Sequence, residues 1–181
     1  MVYVFLADGF EEVEALTPID VLRRAGVEVR TIGVTGKTVT GTHGVPMVAD
    51  ILPVETDLAA ADMIFLPGGM PGTTNLYASD FVRDAVKQFT ESGRYVTAIC
   101  AAPSVILGGM GILNGKRATC YPGMESGMTG ATAVDAPCVQ DGKIITGRGA
   151  GAAFDFALTL CEVLCGKQTA DEIAASVCYV R

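Results

Sequence analysis

The stretch Tyr95-Val96-Thr97-Ala98-Ile99-Cys100-Ala101-Ala102-Pro103 changes its hydrophobic period at a single cysteine. Tyr95, Val96, Thr97 and Ile99 are β-branched or aromatic, as a strand interior prefers. From Ala101 onward, with Val105, Ile106 and Leu107, the apolar residues fall at helical spacing. Cys100 therefore stands at a strand-to-helix elbow. Backbones crowd at such a bend, and Ala98 and Ala102, two residues to either side, are small enough for it. The pattern is the cysteine version of the G-x-S-x-G nucleophile elbow. A helix that starts just after the thiol presents free N–H groups and a positive dipole end, which favour thiolate. A cysteine in an apolar run is more often a small core hydrophobe. The elbow makes this one a candidate nucleophile.

Alternation of strand and helix continues along the whole chain. Residues 2–6 form an apolar strand that turns at Asp8-Gly9. Residues 11–25 form a helix with Glu11, Glu12 and Glu14 in its first turns, where the dipole favours acidic groups. Pro18 is expected to interrupt and kink it, and Gly26 to end it. Residues 27–34 supply the second strand of a βαβ unit. Residues 37–51, rich in Gly, Thr and Val, form an excursion of short strands, with His43 in a turn. Residues 61–66 form a buried strand that runs into Pro67-Gly68-Gly69. A helix is expected over 75–91, with Phe81, Val82, Ala85, Val86 and Phe89 on one face. After the elbow helix come a loop at 108–115 and a short strand at 116–120. Two strands, 132–139 and 143–146, flank a Gln140-Asp141-Gly142 turn, and helices follow at 152–164 and 170–177. The pattern predicts a single α/β domain over 1–181 with a mostly parallel sheet. Gly147-Arg148-Gly149-Ala150-Gly151 lacks both the Rossmann spacing and the P-loop lysine, and reads as a structural link.

Composition narrows the function classes. Half of the 181 residues are hydrophobic and 18% are charged, so disorder and fibrous repeats are excluded. No apolar run is long enough to cross a membrane, and Met1 to Leu6 lacks the basic leader of a signal peptide. A net charge of −7 with no basic cluster argues against a dedicated nucleic-acid surface. The cysteines Cys100, Cys120, Cys138, Cys161, Cys165 and Cys178 form no C-x-x-C pair. With one histidine they make no zinc set, and reduced thiols in the cytoplasm are expected. Cys161 and Cys165, four apart on one helix, read as packing residues, and Cys120 is the competitor to Cys100 for oxidation.

In sheets of this kind sites form at the carboxyl ends of the strands. Topology collects the Cys100 elbow, the Gly68-Gly69 loop and the start of the first helix there. A carboxyl beside the thiol could act as general acid and base. Spacing alone favours dipole complementation for all three glutamates and leaves a catalytic role for one of them as the minority reading.

Ala7-Asp8-Gly9-Phe10-Glu11-Glu12-Val13-Glu14, Leu66-Pro67-Gly68-Gly69, Ala98-Ile99-Cys100-Ala101-Ala102-Pro103 and Thr146-Gly147-Arg148-Gly149-Ala150-Gly151 together resemble the DJ-1/ThiJ/PfpI superfamily, and most closely its DJ-1/YajL branch. The motifs occur in order over nearly the whole chain. The resemblance implies a flavodoxin-like three-layer sandwich, a homodimer, and no metal or organic cofactor. It makes Cys100 the reactive cysteine and Glu14 the acid bonded to it. Gly69 and Ala101 become the donors of backbone N–H groups, with Glu11, Gly68, Tyr121 and Arg148 around the pocket.

The chain also departs from family patterns. Tyr121 stands in the region where some members carry a histidine, Ala101 where the protease-like branch has one, and no histidine follows His43. An intracellular cysteine protease or amidase is therefore the weakest of the implied functions. The leading one is a glyoxalase or deglycase acting on 2-oxoaldehydes such as methylglyoxal and glyoxal, or on their early protein adducts. The alternative is an oxidative-stress sensor or chaperone whose Cys100 is oxidised to sulfinate.

Overall fold

In the computed structural model, which describes residues 1–180, β1 (Val2–Leu6) leads through α1 (Glu12–Arg24) to β2 (Val29–Gly33). A small hairpin follows, made of β3 (Thr38–Thr40) and β4 (Pro46–Val48). Next come β5 (Met63–Leu66), α2 (Gly72–Ala78) and α3 (Asp80–Glu91). β6 (Tyr95–Ile99) ends at Cys100, and a π-helical segment, Pro103–Gly108, follows the elbow. β7 (Arg117–Ala118) and β8 (Thr132–Ala133) form a short parallel ribbon. The chain finishes with β9 (Cys138–Asp141), β10 (Ile144–Gly147), α4 (Ala153–Cys165) and α5 (Lys167–Ser176).

The main sheet has the order β2-β1-β5-β6-β10-β9, and only β9 runs antiparallel to its neighbour. Successive residues of a strand point to opposite faces. Val2, Val4 and Leu6 of β1 enter one core with Phe65 and Phe156. Tyr3 and Phe5 enter the other with Leu76, Phe89 and Ile106. Both faces are covered, so β1 and β5 are buried throughout and read as unbroken apolar runs. This is the flavodoxin-like α/β sandwich, with the carboxyl ends of β1, β5, β6 and β10 side by side.

Several expected elements differ in extent. The helix expected over 75–91 is two helices, because Ser79 is extended at ψ 122°. A continuous helix would carry Leu76's buried face onto Ser79 and Asp80, which are polar; the break lets a new face begin at Val82. The expected strand 132–139 is also two pieces. Thr132 and Ala133 pair with β7, whereas Cys138 onward pairs with β10, and Pro137 lies between them. The hairpin turn is Gly142-Lys143, with Gln140 and Asp141 still in β9. The strands expected at 27–34 and 116–120 shorten to β2 and β7. α1 runs unbroken through Pro18, where an interruption was expected, and Gly26 follows it at φ 76°.

Phe156 of α4 is fully buried, with its ring centroid 5.3 Å from that of Phe65. Truncation leaves a cavity between helix and sheet. Phe156→Ala is expected to cost about 3–5 kcal/mol, read from the midpoint of urea denaturation.

Candidate active site

Cys100 is the first residue beyond β6 and lies at φ 65°, in the left-handed region. For a residue with a Cβ this costs about 1–2 kcal/mol. Two hydrogen bonds hold it there. Its N–H donates to Gly147 O at 2.9 Å, and its carbonyl accepts from Tyr121 N at 2.8 Å. The elbow lifts the half-buried thiol off the strand end.

Glu14 projects from the first turn of α1 and is 1% exposed. Its side chain hydrogen-bonds Cys100 and accepts from the backbone N–H groups of Gly68 and Ala150, the former at 3.1 Å. A Cβ on Gly68 would sit 2.4 Å from Glu14 Oε2 and 2.5 Å from Cys100 Cβ, so only glycine lets carboxyl and thiol meet. Gly69, at φ 89°, and Ala101 donate their N–H groups to the Cys100 sulfur.

The remaining expected residues surround this pair. Glu11 stands just before α1 as its extended N-cap, and its N–H donates to Gly68 O at 2.9 Å. Tyr121 is half exposed and lines a groove of about 440 Å3 with Pro122, Pro137, Arg148 and Gly149. Gly149 stands between the groove and the carboxyl: a Cβ there would lie 3.6 Å from Tyr121 Cδ2 and 3.8 Å from Glu14 Oε1. Arg148 pairs with Asp135 and also borders a second cavity of about 250 Å3 that holds Cys120 and Glu125. Cys120 is buried, and its thiol donates to Tyr121 O at 3.4 Å.

Two features escaped the sequence reading. Ala150 lies in the segment read as a structural link, yet its amide binds Glu14. His43 is in a turn, as expected, but that turn folds back onto α1 and pairs with Glu12 and Glu11. A charged turn facing a helix start has no short sequence signature. Among the described residues, Glu11, Glu12 and His43 are the one group of His, Cys, Asp and Glu side chains close enough to share an ion, and their ligand atoms already face one another.

The DJ-1/PfpI family model matches residues 1–163. The chain belongs to the DJ-1/PfpI family. Protein DJ-1 homolog B of Arabidopsis thaliana is 42% identical over 96% of this chain. The chain spans 40% and 45% of the length of homologs B and A from that plant. A glutathione-independent glyoxalase of Caenorhabditis elegans is 32% identical over 94% of this chain and 91% of its own. The structure of oxidized Toxoplasma gondii DJ-1 superposes with a TM-score of 0.96 at 36% identity, covering 99% of this chain and 98% of that one.

The electrostatics of this DJ-1/PfpI site differ from the thiolate expected of the elbow. Burial first, then the Glu14 charge, pushes the Cys100 thiol up to about 12, and the amides of Gly69 and Ala101 offset only part of this. Burial pushes Glu14 up to about 7. Protonating Glu14 removes its charge and turns it into a donor to sulfur, so the carboxyl's proton controls the thiol.

The raised Glu14 value has a consequence for stability. Between its ordinary 4.5 and about 7, the unfolded chain has released a proton that the folded chain keeps. Folding is therefore favoured at low pH and loses this contribution as pH rises to about 7. Gln does not titrate. Relative to Glu14→Gln, the native protein is expected to lose on the order of 2–3 kcal/mol between pH 4.5 and 8, measured by urea denaturation at both ends.

Proposed function

We propose that this protein is a cofactor-independent glyoxalase or deglycase-like enzyme acting on 2-oxoaldehydes or their early adducts. The observation that carries the reading is the buried Glu14–Cys100 contact, with the amides of Gly69 and Ala101 facing the sulfur. Glu14 takes the thiol proton as sulfur attacks the aldehyde carbon, and passes it to the developing alkoxide. This yields a hemithioacetal and restores the carboxylate. Glu14 then removes the hydrogen of that carbon and returns it to the neighbouring carbon through an enediol. The product is a thioester of a 2-hydroxy acid, which water hydrolyses to free acid and thiol. The two amides stabilise negative oxygen on the way. A family relative named as a glyoxalase agrees with this reading. His43 Nδ1 faces Glu12 and Glu11, so the thiol's partner is a carboxyl and not an imidazole, which disfavours a protease or amidase.

A second reading, oxidation of Cys100 to a sulfinate that Glu14 holds, draws on the same contact and on the oxidized state of the Toxoplasma relative. Turnover separates the two. Purified protein is expected to form lactate from methylglyoxal without glutathione. Cys100→Ser is expected to abolish this, and Glu14→Gln to lower it about 10²–10⁴-fold. No lactate from the native protein rejects the enzymatic reading.

We also infer that the protein pairs as a homodimer. Val13 and Leu16 of α1 are 49% and 42% exposed, and Val45 and Val48 of the β3–β4 hairpin are 49% and 65% exposed. Light scattering at micromolar concentration is expected to give twice the chain mass; a monomer alone contradicts the inference.

A further inference from the structure

We propose that Gly149 is a specificity-determining residue: lacking a side chain, it lets the arm of a 2-oxoaldehyde, the group on its ketone carbon, run from the reacting pair into the adjoining groove. The favoured substrates are then 2-oxoaldehydes with a bulky apolar arm, of the arylglyoxal class. The inference rests on the roles just given to Glu14 and Cys100.

The chemistry fixes where the arm begins. Cys100 sulfur binds the aldehyde carbon, and Glu14 must reach that carbon and its neighbour to carry hydrogen between them. The neighbouring carbon, which bears the arm, therefore lies against the Glu14 carboxyl. One side of that carboxyl is closed. Oε2 accepts from Gly68 N–H at 3.1 Å, and a Cβ on Gly68 would lie 2.4 Å from the same oxygen. The other oxygen, Oε1, lies on the Gly149 side.

Nothing in the backbone asks for glycine at 149. The residue is extended, at φ 162° and ψ −172°, which side chains tolerate. The 3.6 Å to Tyr121 Cδ2 and 3.8 Å to Glu14 Oε1 that a Cβ would make are ordinary van der Waals contacts. Gly149 is nevertheless buried, and apart from its chain neighbours no other atom of the described residues comes within 4 Å of that point. What glycine leaves there is room: a space that touches the carboxyl on one side and a wall of the groove on the other.

The groove suits an apolar arm. At about 440 Å3 it is in the range that encloses drug-sized ligands, and it far exceeds what a methyl group fills. Tyr121, Pro122, Pro137 and Ala152 give it apolar walls. Its two charged residues are Arg148, already paired with Asp135, and Asp155, half-buried at the start of α4. None of these residues is on the α1 and β3–β4 surface inferred to pair two chains.

The test compares two haloketones and needs no turnover. 2-Chloroacetophenone and chloroacetone have the same reactive carbon and leaving group and differ in the arm, phenyl against methyl. In each, sulfur bonds to the CH2 carbon as chloride leaves, and the thiol proton passes to Glu14 and then to water. Labelling rates at Cys100 are read by peptide mass spectrometry. The phenyl-to-methyl ratio is divided by that of glutathione, which removes intrinsic reactivity. The native protein is expected to favour phenyl on the order of ten-fold, from burial of the ring. Gly149→Ala, which puts a methyl group between the pair and the groove, is expected to bring the ratio back to that of glutathione. Gly151→Leu is expected to lower it as well: Gly151 lines the groove, and a Cβ there meets nothing within 4 Å, so the variant is free of clashes at that atom. A native ratio equal to that of glutathione, or one that Gly149→Ala leaves unchanged, overturns the proposal. In turnover the same preference is expected as a higher kcat/KM for phenylglyoxal, which gives mandelate, than for methylglyoxal. Absence of both lactate and mandelate, with the labelling preference present, rejects the enzymatic reading and leaves the arm subsite standing.

Discussion

Glu14 is almost wholly buried, and no cation is among the groups that set its proton affinity. A carboxylate in that position must be neutralised or surrounded by dipoles. The dipoles here are the amides of Gly68 and Ala150 and the thiol of Cys100. Each comes from a different stretch of chain. Glu14 follows β1, Gly68 follows β5, Cys100 follows β6 and Ala150 follows β10. Those strands are consecutive neighbours in the sheet. Satisfying one carboxyl group therefore requires four adjacent strand ends to be in register, and the order of the sheet and the chemistry of the site are one constraint.

The layers were legible because parallel strands buried on both faces leave plain apolar runs, as in Val2–Leu6 and Met63–Leu66. The elbow was legible because a period change at one cysteine, between small residues, is a local signal. Lengths were less so. The Ser79 break depends on which face of α2 is buried, and the division of 132–139 depends on two different pairing partners. Neither follows from local propensity, since both are settled by tertiary neighbours.

Within the site, residue types were easier to foresee than states. Cys100, Glu14, Gly68, Gly69 and Ala101 carry motif signals, and the structure brings all of them to one point. The protonation of the pair was misjudged. A dipole at a helix start argues for thiolate, but desolvation and a neighbouring carboxylate outweigh two amides. The Ala150 amide was missed because a backbone donor leaves no mark on side-chain identity. The contact of His43 with α1 was missed because it joins residues 31 apart in the chain.

The elbow thiol also distinguishes the folded molecule from its own unfolded chain. Without the fold, Cys100 is an ordinary thiol near 9; in the fold it is pushed up to about 12 until Glu14 takes up a proton. Folding thus raises the proton affinity of this sulfur and couples it to a single neighbour, Glu14. One proton, shared between a half-buried thiol and a buried carboxyl, therefore sets the charge of both groups at once.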